Sequence, residues 1–124
     1  MNSRRLWRGI FAVVIAMTAG ARSASAGDCL SGAEGIQLRS DTVHWAFAIR
    51  PNLECIQGLR GNTMLIHEVK IVESPRAGSL TISGPAFHYH APSTATEDSF
   101  KIEVSGENRR MPGTSVIVVG VSIK

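Results

Sequence analysis

The chain has 124 residues, with 13 basic and 10 acidic side chains, a net charge of +3 and two cysteines. That length holds one small domain once a leader is set aside. The positive balance sits mostly in that leader, so the composition gives no reason to expect a nucleic-acid binder, which needs a basic patch to neutralise phosphates.

The chain opens with Arg4, Arg5 and Arg8, followed by an apolar run from Ile10 to Ala19 that only Thr18 interrupts. Ala24-Ser25-Ala26 then places small residues at the −3 and −1 positions of a cut. A basic start, a short apolar core and a small-x-small site predict a secretory signal peptide over residues 1–26. The apolar run is about half of the ~20 residues that span a bilayer, so the alternative of an uncleaved anchor is the weaker one. A lipoprotein fits less well, because Asp28 precedes Cys29 where a small residue is wanted. Ser3-Arg4-Arg5 only partly resembles a twin-arginine signal, and the general secretion route is the expectation. Four of the basic residues and none of the acidic ones lie before Gly27. The remaining domain, residues 27–124, carries nine basic against ten acidic groups and a net charge of −1. Its only adjacent basic pair, Arg109-Arg110, sits beside Pro112-Gly113 and reads as a solvated turn. The expected location is periplasmic or secreted, with the membrane involved only through the export signal.

Both cysteines, Cys29 and Cys55, lie in the exported part, and an even pair there predicts a disulfide. The alternative is two free buried thiols. Their spacing does not match a metal-binding Cys-x-x-Cys pattern.

No stretch after Gly27 has a persuasive helical period; apolar residues alternate instead. Val43, Trp45, Phe47 and Ile49 share one strand face, and Pro51 ends the strand. Leu53 to Ile56 is a short strand. Thr63 to Val72 is a longer one whose apolar set changes face near His67-Glu68, which predicts a bulge or a strand covered on both sides. Pro75-Arg76-Ala77-Gly78 reads as a turn, with proline fixing φ and glycine free to take positive φ. Ser79 to Ser83 and Ala86 to His90 are two strands around Gly84-Pro85. Ala91 to Ser99 reads as a loop, with Glu97-Asp98 closing it. Phe100, Ile102 and Val104 then alternate with Lys101, Glu103 and Ser105. Gly106 to Gly113 reads as a polar connector, and Thr114 to Lys124 as a closing strand apolar on both faces through Val121. About seven strands predict an all-β, antiparallel, immunoglobulin-like sandwich, with a small closed barrel as the alternative.

Within residues 72–124 the order of several pieces is informative. Pro75 and Gly78 precede the strand Leu80-Thr81-Ile82. Phe87-His88-Tyr89 is followed by Pro92, then by Asp98-Ser99-Phe100 and the closing strand Val116 to Ile123. This order resembles the bacterial immunoglobulin-like and cadherin-like repeat domains of secreted and surface proteins, over about half of the exported chain. The resemblance implies a β-sandwich and an adhesive or scaffolding use. The chain departs from it in being a single domain, in having Thr96 where a glycine is usual, and in lacking acidic Asp-x-Asp clusters, so no calcium ligands carry over. Cys29, Trp45 and Cys55 fall outside the matching segment.

His88 and His90 are the sharpest candidate site. Two apart on a strand, both imidazoles share a face and could chelate copper or zinc. Further ligands would have to come from His67, His44, Met64 or Met111; otherwise the pair is simply solvent-facing. Catalytic motifs are lacking: there is no Gly-x-Ser-x-Gly, no His-Glu-x-x-His and no phosphate loop. Trp45 and Phe47 read as core rather than as a ligand face. The closing strand is either central or covered, or else it lies at an edge and accepts a partner strand or a second copy of the chain. The sequence thus predicts an exported, non-enzymatic binding or structural module without cofactor, whose partner is a protein or cell-surface component. The loops Ala91 to Glu97 and Gly106 to Gly113 are its expected contact regions. A small periplasmic copper- or zinc-binding protein is the alternative.

Overall fold

The computed structural model describes residues 29–30 and 33–124. The predicted signal peptide, residues 1–26, lies outside the described residues. Seven strands follow one another: β1 (Asp41–Ile49), β2 (Glu54–Gly58), β3 (Met64–Glu73), β4 (Ser79–Ser83), β5 (Ala86–His90), β6 (Thr96–Asn108) and β7 (Met111–Ile123). They form a four-stranded sheet in the order β1-β7-β6-β3 and a three-stranded sheet in the order β2-β5-β4. Lettered A to G in chain order, the sheets are B-E-D and C-F-G, which is the immunoglobulin order, with strand A moved across to G. The all-β sandwich expected from the sequence is the fold observed. One pairing is not antiparallel: β1 runs parallel to β7, from Asp41 opposite Ser115 to Ile49 opposite Ile123.

The alternation of apolar residues sets which face turns inward. Val43, Trp45 and Phe47 of β1, Ile117, Val119, Val121 and Ile123 of β7, and Phe100, Ile102 and Val104 of β6 are all buried. They meet Cys55 of β2 and Phe87 and Tyr89 of β5 from the opposite sheet. Four rings join the layers: Phe47 meets Tyr89 edge-on at 5.9 Å, Phe87 meets Phe100 edge-on at 5.2 Å, and Tyr89 stacks on Phe100 at 5.8 Å. Each such pair adds roughly 0.5–1.5 kcal/mol beyond the area it buries. Trp45 is core, as expected, and its indole Nε1–H donates to Glu34 O at 2.7 Å. It sits on the first strand, not on the third as in antibody domains.

Several connections differ from the sequence reading. The segment 106–113 is not a polar connector: β6 and β7 run on and join through Arg109-Arg110 alone, both with positive φ (53° and 69°), as a two-residue type I′ hairpin demands. Thr96 to Ser99 belongs to β6, which leaves residues 91–95 as the loop. The face change in β3 is a bulge at His67, and a second irregularity falls at Val72. Gly84-Pro85 makes the β4–β5 turn, with Gly84 at φ 57°. Gly78 does not take positive φ; a Cβ there would lie 2.5 Å from the Tyr89 hydroxyl and 2.5 Å from His90 O, so the position needs glycine for space.

The edge reading of the closing strand is overturned. β7 is hydrogen-bonded to β1 on one side and β6 on the other, so it has no open edge to offer a second copy. Its two apolar faces follow from that central place. The outward Val116 and Val118 are half-buried between Thr42 and His44 of β1 and Glu103 and Lys101 of β6.

Residues 33–40 close one end of the sandwich as a strap, with Ile36 and Leu38 buried in the core. Just before it, Cys29 is bonded to Cys55 with a Cα–Cα distance of 5.7 Å at a sequence separation of 26. In the chain-entropy account a loop of that size contributes about 3.5 kcal/mol. Reduction, or Cys55→Ala, is expected to lower the stability measured by urea unfolding by about 3–4 kcal/mol; unchanged midpoints in oxidised and reduced protein would show that the bridge does not carry this load.

Candidate functional site

The structure places His88 and His90 on the outer face of the three-stranded sheet. His88 lies between Ile56 and Thr81, and His90 between Glu54 and Ser79. His90 is exposed and His88 half-buried. The other proposed ligands are elsewhere. His44 is on the outer face of the four-stranded sheet beside Val118, and His67 is at the β3 bulge, where its Nε2 lies 3.3 Å from Glu107 Oε2. Met64 and Met111 pair with Asn108 from opposite sides at the hairpin end. Only His88 and His90 are brought together, and among the described residues no three His, Cys, Asp or Glu side chains gather as a metal site.

The densest polar cluster is one that the sequence reading placed in a loop of its own. Asp98, near the start of β6, accepts five hydrogen bonds. Oδ1 receives the N–H of Arg76 (2.8 Å) and of Ser99 (3.0 Å). Oδ2 receives the N–H of Ala77 (3.3 Å) and Gly78 (2.9 Å) and the Tyr89 hydroxyl (2.6 Å). The carboxylate therefore holds the turn 75–78, which carries the chain from one sheet to the other, rather than capping its own loop. Partial burial raises the Asp98 pKa, but the hydrogen bonds from Tyr89, Gly78, Arg76 and Ser99 outweigh it and hold the group below the ordinary carboxylate range. Burial, together with the bond to Asp98 and its negative charge, pushes the Tyr89 phenol well upward, so it stays a donor. Beside the cluster lies a polar depression of about 600 Å³ lined by Glu73, Ser74, Arg76, Glu97, Asp98 and Ser99.

A second carboxylate does the same at the opposite end. Asp41 accepts from the N–H of Gln37 (2.9 Å) and Arg39 (2.9 Å) and from the Ser115 hydroxyl (2.7 Å), while Ser115 Oγ accepts from Leu38 N–H (2.8 Å). Burial raises the Asp41 pKa, and these bonds more than reverse that. Asn108 completes the strap's anchorage: its Nδ2 donates to Gln37 O at 3.0 Å and its Oδ1 accepts from Thr63 Oγ1 at 2.7 Å. The Asp41 and Asp98 carboxylates are thus committed to backbone and hydroxyl donors of the fold. In the sequence Asp98 reads as closing its own loop and Asp41 is not singled out; the first reaches a turn about 20 positions back and the second a serine 74 positions on.

What remains for contact is the surface: the outer face with the histidine pair, and the two ends. One end carries the loop 91–95 and the turn 75–78. The other carries the strap, residues 59–63 and the Arg109-Arg110 tip. No protein-family model matches the chain, and no curated protein is similar to it.

Asp98→Asn puts an NH2 where the turn presents N–H donors, and is expected to cost roughly 2–4 kcal/mol, the net worth of one or two hydrogen bonds to a charged group. The pH profile gives a second readout. Since the folded pKa is depressed, the carboxylate stabilises the fold above the unfolded value of about 3.9, and this is lost as pH falls through the lower folded value. Wild type should therefore lose stability below about pH 4 more steeply than Asp98→Asn; parallel acid-unfolding curves would contradict this role.

Proposed function

We propose that this chain is an exported, non-enzymatic binding or structural module of immunoglobulin-like type, acting in the periplasm or outside the cell through protein or surface contacts. The observation that carries the reading is the way its strongest polar groups are used. Among the described residues, the groups whose proton affinities are shifted, Asp98, Tyr89 and Asp41, are spent on holding turns and the strap at opposite ends of the sandwich. Such an arrangement supports a rigid platform that presents loops. The resemblance to bacterial immunoglobulin-like and cadherin-like repeats gains support from the same place. Gly78, Tyr89 and Asp98, which are far apart in sequence and belong to its separate pieces, meet at one point. The Cys29–Cys55 bond suits an oxidising compartment.

A second reading rests on the histidine pair. His88 and His90 share a face, and Glu54 lies directly across the ladder from His90, giving oxygen and nitrogen donors of the sort copper and zinc accept. Titration calorimetry with Cu(II) and Zn(II) tests it. Binding that falls at least tenfold in His88→Ala and His90→Ala supports a site there, whereas unchanged binding removes it.

The main reading is checked by capture from periplasmic and extracellular extracts. The wild-type domain should retain a defined partner, and replacing residues 91–95 or the 109–110 tip should lose it without shifting the melting temperature. A partner retained equally by both loop variants would place the contact on the sheet faces instead. A turnover reaction abolished by a single side-chain change would refute the non-enzymatic role.

A further inference from the structure

Four of the nine basic residues that follow Gly27 are arginines at one end of the sandwich. Arg39 is on the strap, Arg60 on the β2–β3 connection, and Arg109 and Arg110 on the hairpin tip; all four are exposed. The segments that carry them are tied together. Arg109 N–H donates to Thr63 O at 2.9 Å, Asn108 donates to Gln37 O, and Gly113 runs so close to the strap that a Cβ there would meet Leu38 O at 1.9 Å. Arg60 borders the same cavity, of about 240 Å³, as strap residues 33–36.

Three carboxylates share this end with the four arginines, and none pairs with them. Asp41 is committed to the strap, Glu107 faces His67, and Glu34 is exposed. The ion pairs among the described residues, His67–Glu107 and Lys101–Glu73, include none of the four arginines. The tip is also apolar: Met111, directly after Arg110, is 68% exposed, and Leu65, opposite Glu107 one rung away, is 53% exposed. Arg109 and Arg110 occupy left-handed positions that suit Asn-Gly far better, so local stability is given up where the two charges stand.

We infer that this end of the domain is a docking surface for an anionic lipid bilayer, with the four guanidinium groups on lipid phosphates and Met111 entering the headgroup boundary. Guanidinium groups pair with phosphate through two N–H donors at once, which ammonium groups do not match. An exposed end that sets charge around an apolar side chain fits a planar charged surface with an apolar layer beneath it. A soluble polyanion would gain nothing from Met111.

The inference rests on the binding-module reading and names a partner for it. It is tested by cosedimentation of residues 27–124 with vesicles holding about 30 mol% phosphatidylglycerol in phosphatidylcholine, against phosphatidylcholine alone. Wild type should pellet with the anionic vesicles only, and release as salt rises from about 0.1 to 0.5 M. Each arginine removed should weaken partitioning roughly fivefold, so Arg109→Asn with Arg110→Gly should lose about 25-fold. That double variant should melt at or above the wild-type temperature, because Asn-Gly suits the turn, which separates lost binding from lost folding. Arg39→Ser with Arg60→Ser, from different segments, should lose a similar factor. Met111→Ser should weaken binding without changing the salt dependence.

Equal pelleting with neutral vesicles, or full binding by both double variants, overturns the inference. So does binding to heparin or polyglutamate that anionic vesicles do not compete away, which would make the partner a soluble polyanion. The two readings fail separately. A domain that captures a protein but ignores anionic vesicles overturns the lipid surface alone. One that pellets with them and captures no protein supports it, and removes protein contact from the proposed function.

Discussion

A single carboxylate holds the two layers of this domain in relation to each other. Asp98 stands at the start of β6 in the larger sheet. Its oxygens grip the turn that leads into β4 and the hydroxyl of Tyr89 in β5, both of the smaller sheet. Apolar packing alone fixes how far apart two sheets lie but says little about their sliding, since the hydrophobic effect is not directional. Five hydrogen bonds to one fixed point supply that direction. Tyr89 serves both functions, stacking its ring on Phe100 and donating its hydroxyl to Asp98. Gly78 admits that ring and hydroxyl because it has no Cβ to meet them.

The ends of the sandwich are held by similar means but are not alike. At the end away from Asp98, Asp41, Ser115 and Asn108 fasten the strap over the core, and Ile36 and Leu38 fill the opening between the sheets. The strap follows directly on the disulfide, so the covalent tie and the hydrogen-bonded one work in series. Long open edges invite unwanted pairing, and β3 is the longest edge strand here. Its interruptions at His67 and Val72 break the row of free backbone groups, and Lys70 and Glu68 add charge beside it.

The strands were legible wherever a single face is buried. β4 and β5 fall on the residues that alternation and Gly84-Pro85 point to, and β6 shows its inward Phe100, Ile102 and Val104 plainly. The bulge at His67 was visible as a slip in that alternation. The reading went astray at glycines. Gly106 and Gly113 made residues 106–113 look like a connector, yet both lie within strands where another backbone passes: a Cβ at Gly106 would meet Leu65 O at 2.1 Å. Arg109-Arg110 reads as a solvated turn, and it is one, but without Asn or Gly nothing marks it as a two-residue hairpin between continuous strands. The parallel β1–β7 pairing and the reach of Asp98 depend on residues brought together over long separations, which local pattern does not encode. For the candidate site, the histidine pair was legible because its spacing is local. The arginine end was not, since its members come from three separate segments.

The central position of β7 has a consequence for the order of assembly. β1 has no neighbour in its sheet other than β7, and β6 has β7 along one whole side. Until residues 111–123 are available, the first strand has nothing to lie against and the larger layer is limited to the β3–β6 pair. The larger layer therefore closes last, when residues 111–123 fill the gap between β1 and β6.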